Sequence, residues 1–452
     1  MSDHRAPVLR QRYSRLAAAI AMGVFASAGA QAQSLQELYD AARAYDATFL
    51  SARALAESAE YRAAQVGALA KPTVGLGGGS TLARSEAPSG NGLTTVTTTA
   101  GVKGSYSLYN RGNALSIEQS LRSLDVAKAD LETAEQDLIV RVAQAYFDVL
   151  AAQDVLNSTR ANKTGIAEQL ASAKRNFEVG TSTITDTREA QARYDRSVAQ
   201  EIAAENDLRV KRVALEQIVG RPSLEPKPLA QPVALPAVLP LTLDPWVAQA
   251  DEQNPSVRKA RLGLQVAQLE TKKARAADGV TVDMSGSVGL SNLHTSLNGA
   301  AAAAAGSGTS KSASIGVSIN YPLYTGGAVQ NRVLEAMKLE EKSRNDLEYV
   351  RRLVNENTRR GFLGVQSLTA QVKALEAAEA SSKLALESTQ VGYRVGVRVN
   401  LDVLNAQTLL YTTQSDLAKA RYDTLVTSLR LRQAAGQLRP EDVTAINQLL
   451  VK

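Results

Sequence analysis

Few side chains in this sequence are equipped for bond-making chemistry. Cysteine is absent, and only two histidines occur, His4 and His294. Without thiols there is no disulfide framework and no thiolate metal site. Two imidazoles leave almost no material for a Ser-His-Asp triad or a His-based zinc site. His294 itself sits beside a Gly/Ala/Ser-rich stretch that reads as a surface loop. No P-loop or other nucleotide motif is present. No enzyme activity, cofactor or metal is therefore expected. What remains is a set of charged groups placed just after glycines: Asp186 after Gly180, and Asp402 after Gly396, with Arg394 and Arg398 around the second glycine. Glycine suits a helix C-cap, where positive φ costs it little. The two aspartates would complement the start of the next helix, and the arginines the end of the preceding one. The chemistry on offer is electrostatic.

The elements that must hold these groups occur twice. Tyr109-Asn110-Arg111-Gly112 returns as Tyr324-Thr325-Gly326-Gly327 after 215 residues, and Phe177-Glu178-Val179-Gly180 returns as Tyr393-Arg394-Val395-Gly396 after 216. Asp186 and Asp402, Ala190-Gln191 and Ala406-Gln407, and Gly220 and Gly436 keep the 216 spacing. Such register marks a tandem repeat, assigned to 33–221 and 246–436. Between them, 222–245 carries seven of the thirteen prolines and reads as a semi-extended linker. Residues 437–452 form a C-terminal segment.

Each repeat is expected to run as a helix (34–70, 243–277), a β-hairpin (72–109, 279–324), a very long helix (113–176, 328–391), a glycine turn and a last helix (186–219, 402–436). At 1.5 Å per residue each long helix extends ~95 Å. Its apolar stripe is Ile117, Leu121, Leu124, Leu131, Leu138, Val142 and Val149. Steps of three, four and seven are the spacing of a coiled-coil seam. Lys128, Asp130, Glu132, Glu135 and Asp137 occupy much of the remaining surface.

The hairpins carry a second period. Ile315, Val317, Ile319 and Tyr321 alternate with Ser314, Gly316, Ser318 and Asn320, and Val280, Val282, Met284, Val288 and Leu290 alternate with small polar residues. An apolar face backed by a small polar one fits a transmembrane barrel with a wet lumen. The stretches 86–99 and 298–312, the latter with six consecutive alanines, read as outward loops. Two hairpins supply four strands, too few to close a barrel, because single-chain barrels start at ~8. Open edges are not tolerated in lipid, so several chains must share one barrel. Twelve strands from three chains and eight from two both satisfy the count.

The N-terminus reads as a secretory signal, residues 1–32: Arg5, Arg10, Arg12 and Arg15, then the apolar run Leu16–Ala28, then Ala30-Gln31-Ala32 before the cut. The run is shorter than the ~20 residues of a membrane span. Removing four arginines and one aspartate from 51 basic and 45 acidic residues leaves a mature charge of +3. That balance gives no footing for nucleic acid. Lack of cysteine also removes any anchor for an N-terminal lipid.

Helix, hairpin, long helix and helix, repeated twice, together with Tyr393-Arg394-Val395-Gly396 through Asp402-Val403-Leu404-Asn405-Ala406-Gln407 and Pro322-Leu323-Tyr324-Thr325-Gly326-Gly327, resembles the TolC family of outer-membrane efflux and secretion channels. The resemblance covers essentially the whole mature chain. It implies a homotrimer whose twelve-stranded barrel lies in outer-membrane lipid and continues into an α-helical periplasmic tunnel. It implies a periplasmic adaptor of the membrane-fusion type and an inner-membrane RND or ABC-type transporter that supplies the energy. It also implies that the glycine turns form a closed entrance, held by Asp186 toward Tyr393 and Thr185 toward Arg398. Asp402 would supply a cation-binding ring in the pore. Asn405 stands where the family's usual second acid would be. Val179-Gly180 and Val395-Gly396 are placed at the tips as the adaptor-docking surface.

Two other functions compete. A general diffusion porin needs the barrel but not hundreds of helical residues. A trimeric coiled-coil surface adhesin needs heptads and export but neither a duplicated hairpin nor the turn motif. The cargo, drug or protein, is not written in the chain.

Overall fold

The computed structural model describes residues 32–86, 92–233, 240–297 and 308–451. The expected signal lies outside them, apart from Ala32. In chain order the elements are α1 (Leu35–Tyr45), α2 (Ala47–Gly67), β1 (Thr73–Glu86), β2 (Gly92–Asn110), α3 (Arg111–Glu178), α4 (Ile184–Val219), α5 (Leu243–Gln253), α6 (Pro255–Ala276), β3 (Thr281–Leu297), β4 (Gly308–Asn320), α7 (Ala328–Arg394), α8 (Asn400–Ala434) and α9 (Pro440–Asn447). The order of 35–219 thus returns over 243–434.

The expected single helix over 34–70 is in fact two. Asp46 interrupts it, caps α2 by accepting from the Phe49 amide at 2.8 Å, and receives both Nη atoms of Arg141 at 2.9 and 3.0 Å. The expected helix over 243–277 breaks likewise at Asn254, whose side chain accepts from the Ser256 amide at 2.9 Å ahead of Pro255. Proline is pre-set for the first turn of a helix and disruptive inside one, so the break falls there.

The chain divides into two compact units. One comprises the residues up to Leu50, Glu135–Val247, and Asn357 onward. Its core includes Leu138, Val142, Tyr146, Phe147, Leu425 and Leu429. Phe147 stacks on Tyr422 at 5.6 Å, and the Tyr422 hydroxyl donates to Asp154 at 2.7 Å. Trp246 is buried with Val365, Leu431 and Ala435 and donates its indole N–H to the Pro240 carbonyl. The linker's start is extended, as its prolines require, and is clipped on both sides. The Lys227 amide donates to Gln33 at 3.0 Å, the Ala230 amide to Leu449 at 2.9 Å, and the Tyr146 hydroxyl to the Lys227 carbonyl at 2.8 Å. Residues 234–239 of the linker lie outside the described residues.

The other unit, Ser51–Ala134 and Ala248–Glu356, contains one four-stranded antiparallel sheet in the order β1-β2-β3-β4. The two hairpins join through β2 and β3, where Val102 pairs Val288 and Tyr106 pairs Met284. Because directly paired residues share a face, the register gathers Val74, Leu76, Val102, Tyr106, Met284, Val288, Leu290, Ile315 and Val317 on one side. The other side carries Thr73, Gly75, Lys103, Ser105, Asp283, Ser287 and Ser314. The strands overrun the loops expected at 86–99 and 298–312. β2 begins at Gly92 and β4 at Gly308, and only 87–91 and 298–307 are left outside the described residues. His294 is accordingly a strand residue opposite Val96, not a loop residue.

Below the sheet, α6 is tied to its neighbours by charge. Glu270 accepts from Lys273 at 2.6 Å, Arg332 of α7 at 2.8 Å and Gln119 of α3 at 3.0 Å. Ion pairs Arg258–Glu132 and Lys259–Asp130 add to this. Among the described residues no helix is long and apolar enough to cross a membrane.

Candidate entrance built from two helix tips

Both long helices end in the same hydrogen-bonded turn. At the first, the Thr181 amide donates to the Asn176 carbonyl at 2.8 Å and the Gly180 amide to Phe177 at 3.0 Å. At the second, Val397 donates to Gly392 at 2.9 Å and Gly396 to Tyr393 at 3.1 Å. Paired bonds of this kind define a Schellman cap, which places its C′ residue in the left-handed region. Gly180 (φ 77°) and Gly396 (φ 83°) occupy that place. A Cβ there would have nothing within 4 Å, so backbone conformation demands these glycines, not crowding. Val179 and Val395 beside them are 73% and 67% exposed.

The helices that follow start differently. Thr183 and Asp186 form a complete capping box: Asp186 accepts from the Thr183 amide at 3.0 Å, and Thr183 Oγ1 accepts from the Asp186 amide at 3.1 Å. The Ser182 hydroxyl also donates to Asp186 at 2.8 Å. The Thr183 amide first, then the Ser182 and Thr183 hydroxyls, hold the Asp186 carboxyl below the usual carboxylate range. At the second tip the N-cap is Val399, which has no hydroxyl. Asp402 there receives only a long bond from the Val399 amide, 3.5 Å, and Arg398 Nη1 stands 3.7 Å from its carboxylate. The second tip is the more weakly capped of the two.

Within the chain the implied gate pairs are not in contact. Asp186 is engaged by its own turn, and the Tyr393 hydroxyl accepts from Asn176 Nδ2 at 3.1 Å. Arg398 reaches Asp402 and lays its stem on Gly392, where a Cβ would come within 2.8 Å of its Cγ. Thr185 and Asn405 are exposed. All six residues nevertheless lie in or within a few residues of the two turns.

A joint between the two tips escaped sequence reasoning. Leu404 of α8 is buried against Ile166, Leu170 and Ala173 of α3 and Ala190 of α4. Nearby, Gln407 donates to the Asn162 carbonyl at 3.1 Å, filling the notch left by Gly165. Asn176 and Gly165 thus fasten the first hairpin to the second. The available signal was a glycine inside a long helix, Gly165, which marks close approach. Among the described residues no cluster of three acidic or His/Cys side chains could hold a metal. The arrangement sets two glycine-turned, apolar-tipped hairpins side by side with carboxylates and guanidinium groups around them.

The Outer membrane efflux protein family matches residues 38–221 and 246–437. The chain is 32% identical over 428 residues to Outer membrane protein TolC of Vibrio cholerae, covering 94% of this chain and 96% of that protein. It is 31% identical over 344 residues to Alkaline protease secretion protein AprF of Pseudomonas aeruginosa, covering 75% and 68%. In fold it is similar to the Campylobacter jejuni CmeC outer membrane channel, with TM-score 0.76 and 16% identity over 92% of this chain and 90% of that one. The chain belongs to the outer membrane efflux protein family, a family of channels and not of enzymes.

Proposed function

We propose that this outer-membrane exit duct, serving efflux and type I secretion, works as a homotrimer whose periplasmic entrance is the ring of helix tips. The observation that carries the reading is the sheet. Among the described residues its β1 and β4 edges have no partner, and one face is apolar. Such a sheet cannot sit in lipid until its edges are paired, and three copies in a ring close it as twelve strands. The internal repeat then gives six similar tips. Asp402 recurs three times around the axis, where converging carboxylates attract cations. Asp186, Thr185, Tyr393 and Arg398 would meet across copies to keep the entrance shut, since they do not meet within one.

A periplasmic adaptor docks on Val179-Gly180 and Val395-Gly396, and an RND or ABC-type inner-membrane transporter drives cargo through. The matched family is named for efflux and the relative AprF for alkaline protease secretion, which supports a partner transporter here. Native mass measurement of the detergent-solubilised protein tests the assembly. It should give three chains, each beginning at Gln33. A stable monomer would remove the shared-barrel argument.

A further inference from the structure

Glycine interrupts the apolar face of the sheet at one level. Gly104 of β2 pairs directly with Gly286 of β3, and both fall on the side that carries Val74, Val102, Val288 and Ile315. Neither is required by its surroundings. A Cβ at Gly104 would have its nearest neighbours at 3.7 Å and one at Gly286 at 3.6 Å, which is ordinary contact, and neither residue has positive φ. The two bare positions make the floor of a groove, walled by Val74 on one side and Ile315 on the other. A second hollow, bordered by the same Val102, Val288 and Ala313, lies further along the strands and is lined by Leu76, Leu290 and Lys311. Glycine inside a strand marks either a bend or close approach by another group.

Lys311 is the feature that distinguishes these. It pairs with Leu290 in the register, so its stem lies on the apolar face, and the next row of that face toward the hairpin loops is polar: Ser80, Thr98, Asn292 and Thr309. Arg84 on the same face is already paired with Glu86 at 2.8 Å. The helices α3 and α7 follow β2 and β4 at the opposite end. In an outer-membrane channel with a periplasmic helical tunnel, the loop end faces outward. An apolar groove below and an ammonium group above, in the outer half of the membrane, have the polarity of an anionic lipid. Apolar matter gains nothing by leaving lipid for protein except through packing, so fit and charge decide which lipid stays.

We propose that Val74, Gly104, Gly286, Val288, Ile315 and Lys311 form a binding site for a phosphorylated glycolipid of the outer leaflet, one acyl chain in the glycine groove and a phosphate on Lys311. The site rests on the reading of this sheet as membrane-spanning.

The test uses the full chain, purified from outer membranes, delipidated in a neutral detergent and titrated with diphosphorylated lipid A or with phosphatidylglycerol, bound lipid being counted by native mass spectrometry. Wild type should bind lipid A at least about tenfold more tightly than phosphatidylglycerol. Lys311→Gln should abolish that preference, and Gly104→Val should reduce retention of both lipids. All three proteins should keep the same oligomeric mass. Should Gly104→Val fail to assemble, Lys311→Gln still decides, because its side chain is exposed and replaces no described bond. Equal binding of the two lipids by wild type, or an unchanged preference in Lys311→Gln, overturns the site. A protein that is absent from the outer-membrane fraction would instead overturn the membrane reading itself.

Discussion

At the scale of single residues, the two tips share a C-cap and differ in the N-cap that follows. Asp186 is fully used by its own turn, whereas Asp402 shares a looser one with Arg398. Asp186→Ala should lower stability by about 1 kcal/mol through the lost cap. Because the folded Asp186 carboxyl lies below its unfolded value, this contribution is present at neutral pH and is lost as pH falls through the carboxylate range. Asp402→Ala should cost less stability yet weaken cation selectivity in bilayer recordings. If it selects like the parent, the carboxylate serves only its helix terminus. Gly180→Trp and Gly396→Trp should still assemble and reach the membrane but lose export and adaptor crosslinking. Gly396→Asn tolerates positive φ and should be intermediate. Normal crosslinking by both Trp variants would remove the tips as docking surface. Both glycines and both aspartates were legible in the sequence because the repeat shows them twice. Asn176 and Gly165 were not, because the side chains they meet, Tyr393 and Gln407, belong to the other hairpin, more than 200 residues away.

At the scale of elements, the long helices were legible to within a few residues. They lack proline, and their apolar residues recur at helical spacing. The stripe itself is only partly covered: Leu138, Val142 and Val149 are buried, but Leu131 is half-buried and Leu121 exposed, as a seam awaiting another helix would be. The shorter helices were misread because length outweighed punctuation; Asn254-Pro255 is a cap followed by a helix-starting proline. The upper part of β2 was misread as loop because Thr94, Thr95, Thr97, Thr98 and Thr99 look polar, although β-branched threonine suits a pleat. One element makes a pH prediction. Burial raises the Glu270 carboxyl, but the bonds from Lys273, Gln119 and Arg332 outweigh it and bring it to about 2. A depressed folded value stabilises above the unfolded carboxylate value of ~4.3 and is lost as pH falls toward the folded one. Glu270→Gln should therefore lose about 1 kcal/mol at pH 7 and should unfold with a shallower acid dependence between pH ~4 and ~2. An unaltered acid profile would show that these bonds do not hold α6 between α3 and α7.

At the scale of the whole molecule, family and outer-membrane function were legible because the repeated element order and the turn motif are features of the entire chain. Among the described residues the β1 and β4 edges of the sheet are unpaired, and the proposed gate pairs Asp186–Tyr393 and Thr185–Arg398 do not meet. The proposed ring of copies would supply both. Single-channel recording from the mature protein in a planar bilayer tests it most directly. The parent should give discrete channels with a small, nearly closed resting conductance, and Arg398→Ala should raise that conductance without changing the assembled mass. A protein that inserts no channels, or one that conducts fully open at rest and is indifferent to Arg398→Ala, would contradict an exit duct gated at its helix tips.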